Sequence, residues 1–494
     1  MSIRKLAGET AIYGVSSILS RLLNYVILTP YLTRVFIREE YGIVSELFFY
    51  AAILTVFFTY RMETTFFRFG SKSVDSIEKA FSTATISLLV STIFFTGLLL
   101  SLSTPIAHFL TYPNNVEFIQ IVILIVAFDA LIAIPFARLR LENRPIKFAV
   151  LKVLHILINI VVIFFFLKYC PLWIENGVDF LSPIYNPENR ILYIFIANLL
   201  ASIIVFCLLL PSYLKVEWSF DIAYWKRMVW YALPLIVVGL AGIINSLGAL
   251  PLLSNILPES VAENRAETGT YGATLKLAVL MSLFTQAFNY AAEPFFFRHS
   301  TSKGSKEMYG NVGFLFTLIG SVVFLGIMFY IDLIQLFLGK DFRSGLEIVP
   351  ILLIANLFLG IYYNFSIWYK LADRTIWGAY ISTGGALITI FLNILLIPSL
   401  GIMGSAWAAL CCYAFMALAC YWSGQKYYAI PYPLAKMMRY ILIAVGFYFI
   451  SMWMETQLLD NTFFVWSINT FLLAIYLGLV YLMDGQEIRK ILVN

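Results

Sequence analysis

Long apolar stretches recur along the whole chain, and a short polar stretch separates each from the next. A helix needs about 20 apolar residues to cross a bilayer, and these stretches reach that length. The pattern predicts an all-α integral membrane protein of about fourteen transmembrane helices. The predicted spans are residues 10–33, 41–69, 80–102, 116–137, 148–169, 191–211, 228–257, 270–298, 308–331, 346–369, 375–397, 401–422, 440–458 and 462–483.

Composition and the placement of basic residues support the same prediction. Hydrophobic residues make up 61% of the chain and charged residues only 12%, whereas soluble domains carry about a quarter charged residues. Most Lys and Arg residues fall in alternate loops, which places those loops and both termini in the cytoplasm. The opposite side holds only Arg34, Arg38, Lys168, Arg190, Arg265, Lys340 and Arg343. The net charge of +5 therefore reflects topology, and we expect no nucleic-acid partner.

The sequence carries no motif typical of metal, redox or nucleotide chemistry. Its five cysteines show no CxxC spacing, its three histidines form no HExxH pattern, and it has no phosphate-binding GxxxxGK[ST] loop. We therefore expect no catalytic residues, no metal and no cofactor. A membrane-embedded enzyme would also need a catalytic constellation at a membrane face, and the outside loop 170–190 is the longest candidate.

An internal repeat becomes visible when 230 is added to the residue number. Tyr41-Gly42 then falls on Tyr271-Gly272, Phe66-Phe67-Arg68 on Phe296-Phe297-Arg298, and Arg144 on Arg374. Six spans separate equivalent positions, so the two halves share one orientation, and a site is expected between them. The predicted domains are an N-terminal lobe of residues 1–215, a C-terminal lobe of residues 216–430, and two additional helices in residues 431–494.

Three local patterns resemble a known family. They are the stretch Tyr13–Arg21, the turn Glu39-Glu40-Tyr41-Gly42, and the Phe66–Phe69 end of the second span. Together with the 6 + 6 + 2 arrangement of spans, they resemble the multidrug/oligosaccharidyl-lipid/polysaccharide (MOP) exporter superfamily. Within it they are similar to the Wzx-like polysaccharide flippases.

The resemblance implies a transporter of the bacterial cytoplasmic (inner) membrane with two lobes around a central cavity that opens to alternate sides. It would move an undecaprenyl-pyrophosphate-linked oligosaccharide from the inner to the outer leaflet for polysaccharide biosynthesis. Membrane lipids and a polysaccharide polymerase or ligase are the implied partners. The energy source is open among H⁺, Na⁺, the membrane potential and consumption of the product. The alternatives are a lipid II flippase, a drug/cation antiporter of the same fold, and a non-transporting scaffold.

Charges inside the predicted spans are costly in a bilayer, and they identify the candidate site. A central cationic cavity is expected to bind substrate through Arg21, Asn24, Arg61, Arg68, Lys276 and Arg298. Arg21 is near the midplane and shares a helix face with Asn24, where a guanidinium suits paired hydrogen bonds to phosphate. The structural alternative is that Arg21 is held by a carboxylate, and that Arg68 and Arg298 reach toward lipid headgroups.

Embedded carboxylates are the second set of candidates. Glu63 and Glu293 are expected to pair with neighbouring arginines. Lys276 has two interpretations, one as part of the cationic cavity and the other as the partner of Glu46, its repeat equivalent. Asp129 lies near the middle of the fourth span, where it is a candidate proton or cation site, or else the partner of an arginine. Most of the abundant aromatic residues are expected at the membrane interfaces, while Tyr362, Tyr363 and Trp368 are candidates to stack on sugar rings.

Overall fold

The computed structural model describes residues 19, 22–71, 74–214, 217–298, 304–457 and 462–493, and within these ranges it is helical and contains no strand. The side chains of residues 74–76, 179, 291, 293, 294, 297, 298, 462 and 491–493 lie outside the description. The first predicted span is therefore described mainly from Asn24 onward, where a π-helical turn, Asn24–Leu28, leads into the first α-helix.

Helices follow one another with short connections. In the first part of the chain they are α1 (Thr29–Val35), α2 (Arg38–Thr59), α3 (Met62–Gly70), α4 (Val74–Ser101), α5 (Ser103–Phe109), α6 (Val116–Leu141), α7 (Pro145–Phe164), α8 (Cys170–Glu175), α9 (Arg190–Tyr213), α10 (Ile222–Leu247) and α11 (Ala249–Ile256). They continue as α12 (Val261–Arg298), α13 (Ser305–Phe329), α14 (Ile331–Ile334), α15 (Val349–Phe365), α16 (Ile367–Leu371), α17 (Ile376–Tyr427), α18 (Leu434–Gln457) and α19 (Thr462–Val493).

Eleven helical segments in the described ranges are long and apolar enough to cross a membrane. The longest helix, α17, has 52 residues and is interrupted at Gly401, whose φ of +53° lies in the left-handed region that glycine tolerates. This break separates the predicted spans 375–397 and 401–422. The prediction of an all-α, multi-pass membrane protein is confirmed, while the count of fourteen and the cytoplasmic termini stay predictions.

The chain forms two compact units. The first comprises Met1–Ser254 and Ser260–Gly269, and the second Asn255–Glu259 and Thr270–Asn494. These units reflect which helices pack together. The predicted domains 1–215, 216–430 and 431–494 follow the sequence repeat instead, and they stay a prediction.

Each unit is built around a largely apolar helix that is mostly buried, as expected for a central position. In the first unit this helix is α6, which packs on α2, α4, α7 and α9. In the second unit it is α13, which packs on α15, α18 and α19. The most buried parts of both helices are closed in by their own unit, so each unit has a core of its own.

The predicted repeat recurs in the backbone. Asn143 and Asp373 are 230 residues apart, and both have φ of +54°. In the next residue of each turn, the backbone N–H donates to a carbonyl five residues earlier. Arg144 donates to the carbonyl of Leu139 at 2.9 Å, and Arg374 donates to the carbonyl of Tyr369 at 2.8 Å. The same left-handed helix end therefore follows α6 in the first unit and α16 in the second. Composition alone would not reproduce this geometry at the predicted offset, so it supports duplication.

A charged network joins α18 to α19 within the second unit. The Asp484 carboxylate, only 6% exposed, pairs with Lys436 at 3.1 Å and also contacts the Arg439 guanidinium and the Tyr440 hydroxyl. Glu487 contacts Lys436 from a more exposed position. Asp484 therefore ties the two C-terminal helices together, with one carboxylate shared among three donors.

Replacing Asp484 with asparagine is expected to destabilise the second unit by about 2 kcal/mol, because the cations lose their buried partner but remain about one-third exposed. Thermal unfolding of the protein in nanodiscs measures this effect. Glu487→Gln is the matched control, with an expected loss below about 1 kcal/mol. Equal unfolding temperatures for the two variants would show that Asp484 is not the centre of the network.

Candidate functional site

The second predicted span is broken in its second half. Between α2 and α3, Tyr60 and Arg61 have φ of +32° and +57°, so two consecutive residues with side chains adopt left-handed backbone. Such a conformation costs about 1–2 kcal/mol per residue. In α12, the repeat equivalent, the helix continues without interruption through Tyr290. The break is therefore a local feature of the first unit, and backbone strain of this kind concentrates at functional sites.

Hydrogen bonds hold the broken segment in place. The Tyr60 hydroxyl lies 2.6 Å from the hydroxyl of Ser87 on α4, and the indole N–H of Trp225 on α10 donates to the same serine oxygen at 2.6 Å. Ser87 thus links the break to two neighbouring helices. These contacts offset part of the strain and fix the direction in which Arg61 leaves the backbone.

Arg61 lies against a bare stretch of α10. A Cβ atom at Gly239 would lie 2.6 Å from Nε and 2.8 Å from Cζ of Arg61, closer than real contacts allow. The Arg61 side chain is 35% exposed, and its guanidinium lies 3.7 Å from the Glu63 carboxylate, its expected charge partner. The guanidinium occupies the space that a side chain at position 239 would take, and a third of the Arg61 side chain remains accessible.

A basic and aromatic surface continues along α3 and α10. The exposed Arg68 guanidinium stacks on the Tyr231 ring, 4.0 Å from its centroid, and Phe69 meets Tyr231 edge-on. Near the start of α10, Lys79 and Arg227 both lie over the Tyr224 ring at 5.2 and 5.3 Å. Stacked cations keep most of their charge available while their position is fixed. Arg68 is thus oriented by an aromatic ring as well as by its position near the helix end.

Asp221 fixes the start of α10. Its carboxylate accepts a hydrogen bond from the amide of Tyr224 at 2.8 Å and pairs with Lys79 at 2.7 Å. The Lys79 ammonium and, next, the Tyr224 amide lower the pKa of the Asp221 carboxyl below its ordinary value. An N-terminal cap of this type orients the helix that carries Tyr231 and Gly239.

Several predicted site residues are placed elsewhere or lie outside the description. Arg21 lies outside the described residues, as do the side chains of Glu293 and Arg298. Asn24 is half-buried and begins the π-helical turn. Lys276 is half-buried on α12 in the second unit. Of the predicted cationic set, the structure pairs Arg61 with Glu63 and places Arg68 further along α3 against Tyr231, and the roles of the others stay predictions.

Glu46 is enclosed by hydroxyl groups. It is 1% exposed, and its carboxylate accepts hydrogen bonds from Tyr50 at 2.9 Å, Tyr112 at 2.7 Å and Ser254 at 2.9 Å. A buried carboxylate with three donors is well satisfied without a cation. The predicted pair of Glu46 with Lys276 stays a prediction.

The first turns of α2 and α12 meet at two glycines inside the first unit. A Cβ at Gly42 would overlap the backbone carbonyl of Arg265, and a Cβ at Gly269 would overlap that of Arg38. An ion pair between Arg38 and Glu267 at 3.3 Å lies beside this crossing. The two helices therefore touch backbone to backbone, an approach that only glycine permits.

Known proteins are similar to this chain in structure but not in sequence. By sequence the chain matches no family model and no curated protein. By structure it is similar to lipid II flippase MurJ in an inward closed conformation, with a TM-score of 0.71 and 16% identity over 97% of this chain and 100% of that one. This chain shares the fold of that solved structure.

Two further structures with a similar fold are MATE transporters. An inward-facing MATE family transporter of the MOP superfamily gives a TM-score of 0.57 and 14% identity, covering 86% of this chain and 94% of that one. A mutant of the Vibrio cholerae MATE transporter VcmN gives 0.55 and 14%, covering 85% and 94%. The fold expected from the resemblance is confirmed, and the Wzx-like branch remains a proposal.

Two of the three aromatic candidates for sugar stacking are buried in the second unit. Tyr362 is 4% exposed and lies 3.3 Å from the Tyr369 hydroxyl, while Trp368 is 1% exposed and donates to the carbonyl of Cys420 at 3.1 Å. Both belong to the packed interior, so the expectation that they contact sugars was wrong. Tyr363, at 43% exposed, remains accessible.

Sequence reasoning missed the residues that position the cations. Gly239, Ser87 and Tyr231 carry no charge, and nothing in their local pattern distinguishes them from other residues of apolar helices. The glycine has a weak signal, because an interior glycine lowers helix propensity and needs a packing reason. The other two could be recognised only after α3, α4 and α10 were seen together.

Proposed function

We propose that this protein is a flippase that moves an undecaprenyl-pyrophosphate-linked oligosaccharide from the inner to the outer leaflet of the bacterial cytoplasmic membrane by alternating access. The observation that carries the proposal is Arg61, which lies at a strained helix break against Gly239 with a third of its side chain accessible. The fold, which this chain shares with a lipid II flippase over nearly its full length, supports a transporter rather than an enzyme or a scaffold.

The charge of the described site favours an anionic headgroup. Arg61 lies at the helix break, Arg68 on α3, Lys79 on α4 and Arg227 on α10, whereas Glu63 and Asp221 are each paired with one of these cations. Guanidinium groups bind phosphate oxygens through paired hydrogen bonds. A drug/cation antiporter would need an acidic site, so this distribution of charge supports the pyrophosphate-linked substrate. A lipid II flippase would share the cationic site, and it is the second candidate because of the fold similarity to MurJ.

The role of Arg61 is tested by flipping of a fluorescent undecaprenyl-pyrophosphate oligosaccharide in proteoliposomes. Arg61→Asn removes the cation but tolerates the left-handed backbone. A charge-assisted hydrogen bond contributes about 1.5–3 kcal/mol, so we expect flipping to fall roughly tenfold to hundredfold. Arg61→Lys should retain part of the rate, because it keeps the charge without the planar pair of donors.

Arg144→Ala is the control, because Arg144 lies in the turn after α6 and its side chain is 61% exposed. It should flip the probe at the rate of the unmodified protein. If Arg61→Asn transports as fast as this control, with equal protein levels in the vesicles, Arg61 does not bind the substrate.

A further inference from the structure

Three polar side chains meet deep in the first unit. Asp129, His155 and Ser202 lie near the middle of α6, α7 and α9, all of which are long enough to span a membrane. Ser202 is completely buried, whereas Asp129 and His155 at either side of it are half-buried. Polar groups at this depth are costly, and in transporters they commonly mark proton or ion pathways.

Their hydrogen bonds form a continuous chain. The Ser202 hydroxyl donates to Oδ1 of Asp129 at 2.6 Å, and Nε2 of His155 lies 3.1 Å from the same hydroxyl oxygen. A serine hydroxyl has a single proton. When Ser202 donates that proton to Asp129, the imidazole must supply the hydrogen of the second bond. These two hydrogen bonds therefore place a proton on Nε2 of His155.

We propose that Asp129, Ser202 and His155 form a proton relay that couples proton movement to transport. This inference rests on the proposed function for its role, but the relay itself is a property of the three side chains. When Asp129 is protonated, it passes its proton to Oγ of Ser202, and Ser202 releases its own proton to an unprotonated Nε2 of His155. One O–H bond breaks at Asp129 and one N–H bond forms at His155, so a single proton has moved.

The ligand set favours a proton over a metal cation. Hard cations such as Ca²⁺ and Mg²⁺ take six or more oxygen ligands, whereas this chain offers a carboxylate, one hydroxyl and a ring nitrogen. Lys152, one turn before His155 on α7, acts electrostatically on both Asp129 and His155, and its ammonium lies 4.4 Å from the centroid of the Phe136 ring. A fixed positive charge beside the relay opposes binding of Na⁺.

Other groups that face α6 are engaged elsewhere. Tyr213 on α9 donates to the carbonyl of Leu131, two residues beyond Asp129 on α6. Charged side chains on α2, α3, α4 and α9 contact partners outside the relay. Glu46 accepts hydrogen bonds from three hydroxyls, and Arg68 stacks on Tyr231. Ion pairs join Glu63 to Arg61, Glu78 to Arg138, Lys79 to Asp221, and Arg190 to Glu40. Lys152 is thus the charged group acting on the relay from the helices described around α6.

The relay is tested without transport by histidine-selective ¹⁵N NMR of the full-length protein in nanodiscs over a pH series. The chain has only three histidines, so individual signals can be assigned by substitution. We expect Asp129→Asn and Ser202→Ala each to move the titration midpoint of His155 by about one pH unit, the range that defines coupled sites. His108 on α5 is the matched control and should not move. An unchanged His155 midpoint in both variants would overturn the relay.

Coupling is tested by flipping of the fluorescent lipid under an imposed pH gradient. The unmodified protein should respond to the gradient, and Asp129→Asn should flip at a rate that no longer depends on it. Dependence on Na⁺ instead of pH, or a gradient response unchanged in Asp129→Asn, would overturn the coupling. A coupled His155 in a protein that flips no lipid would support the relay and contradict the proposed function.

Discussion

Gly239→Ala is expected to lower flipping of the pyrophosphate-linked probe roughly tenfold to hundredfold, although position 239 carries no functional group. The added methyl would lie within 3 Å of the Arg61 guanidinium, which must then move. Displacement of a binding group by about 1 Å can cost a factor of roughly 10² in rate. The measurement is the initial flipping rate in proteoliposomes at matched protein levels.

Gly242→Ala provides the matched control, because it lies one turn further along α10 with no atom within 4 Å of the added methyl. Alanine has the higher helix propensity by about 1 kcal/mol, so this variant should be as active as the unmodified protein and slightly more stable. Equal flipping rates in the two alanine variants would mean that Arg61 does not depend on the space at Gly239.

Gly42→Ala and Gly269→Ala are expected to destabilise the first unit by about 1–3 kcal/mol each, the usual cost of overpacking. Each new methyl would meet a backbone carbonyl of the facing helix, which cannot rotate away as a side chain can. The two helices must separate, and the ion pair of Arg38 with Glu267 should weaken. Thermal unfolding in nanodiscs measures the loss of stability.

Gly97→Ala on α4 is the control for these two substitutions, because nothing lies within 4 Å of its added methyl. It should unfold at or slightly above the temperature of the unmodified protein. Similar unfolding temperatures for Gly42→Ala and Gly97→Ala would contradict the close approach of α2 and α12.

Much of the fold could be predicted, because hydrophobic length and loop charge act locally and repeat along the chain. The offset of 230 residues even anticipates the matching left-handed turns at Asn143 and Asp373. The break at Tyr60 and Arg61 could not be predicted, since neither residue favours left-handed backbone. It exists because Ser87 and Trp225, distant in sequence, hold the segment in place.

The charged residues of the candidate site could be predicted from the sequence, but the neutral residues that hold them in place could not. Embedded arginines and acids stand out because a bilayer makes them costly, which is why Arg61, Glu63 and Asp129 could be selected from the sequence. Their partners are neutral and could not be selected in the same way. Ser202 and Gly239 look like ordinary residues of apolar helices. Only the packing of those helices shows that Ser202 forms a hydrogen bond with an imidazole and that Gly239 leaves space for a guanidinium.

The most direct test of the central claim is transport by the unmodified protein in proteoliposomes with three probes. They are a fluorescent undecaprenyl-pyrophosphate oligosaccharide, fluorescent lipid II and a small organic cation. We predict that the oligosaccharide-linked lipid is flipped fastest and that the cation is not exchanged. Exchange of the cation for protons or Na⁺ without flipping of either lipid would contradict the proposed function, and faster flipping of lipid II would replace the proposed substrate with lipid II.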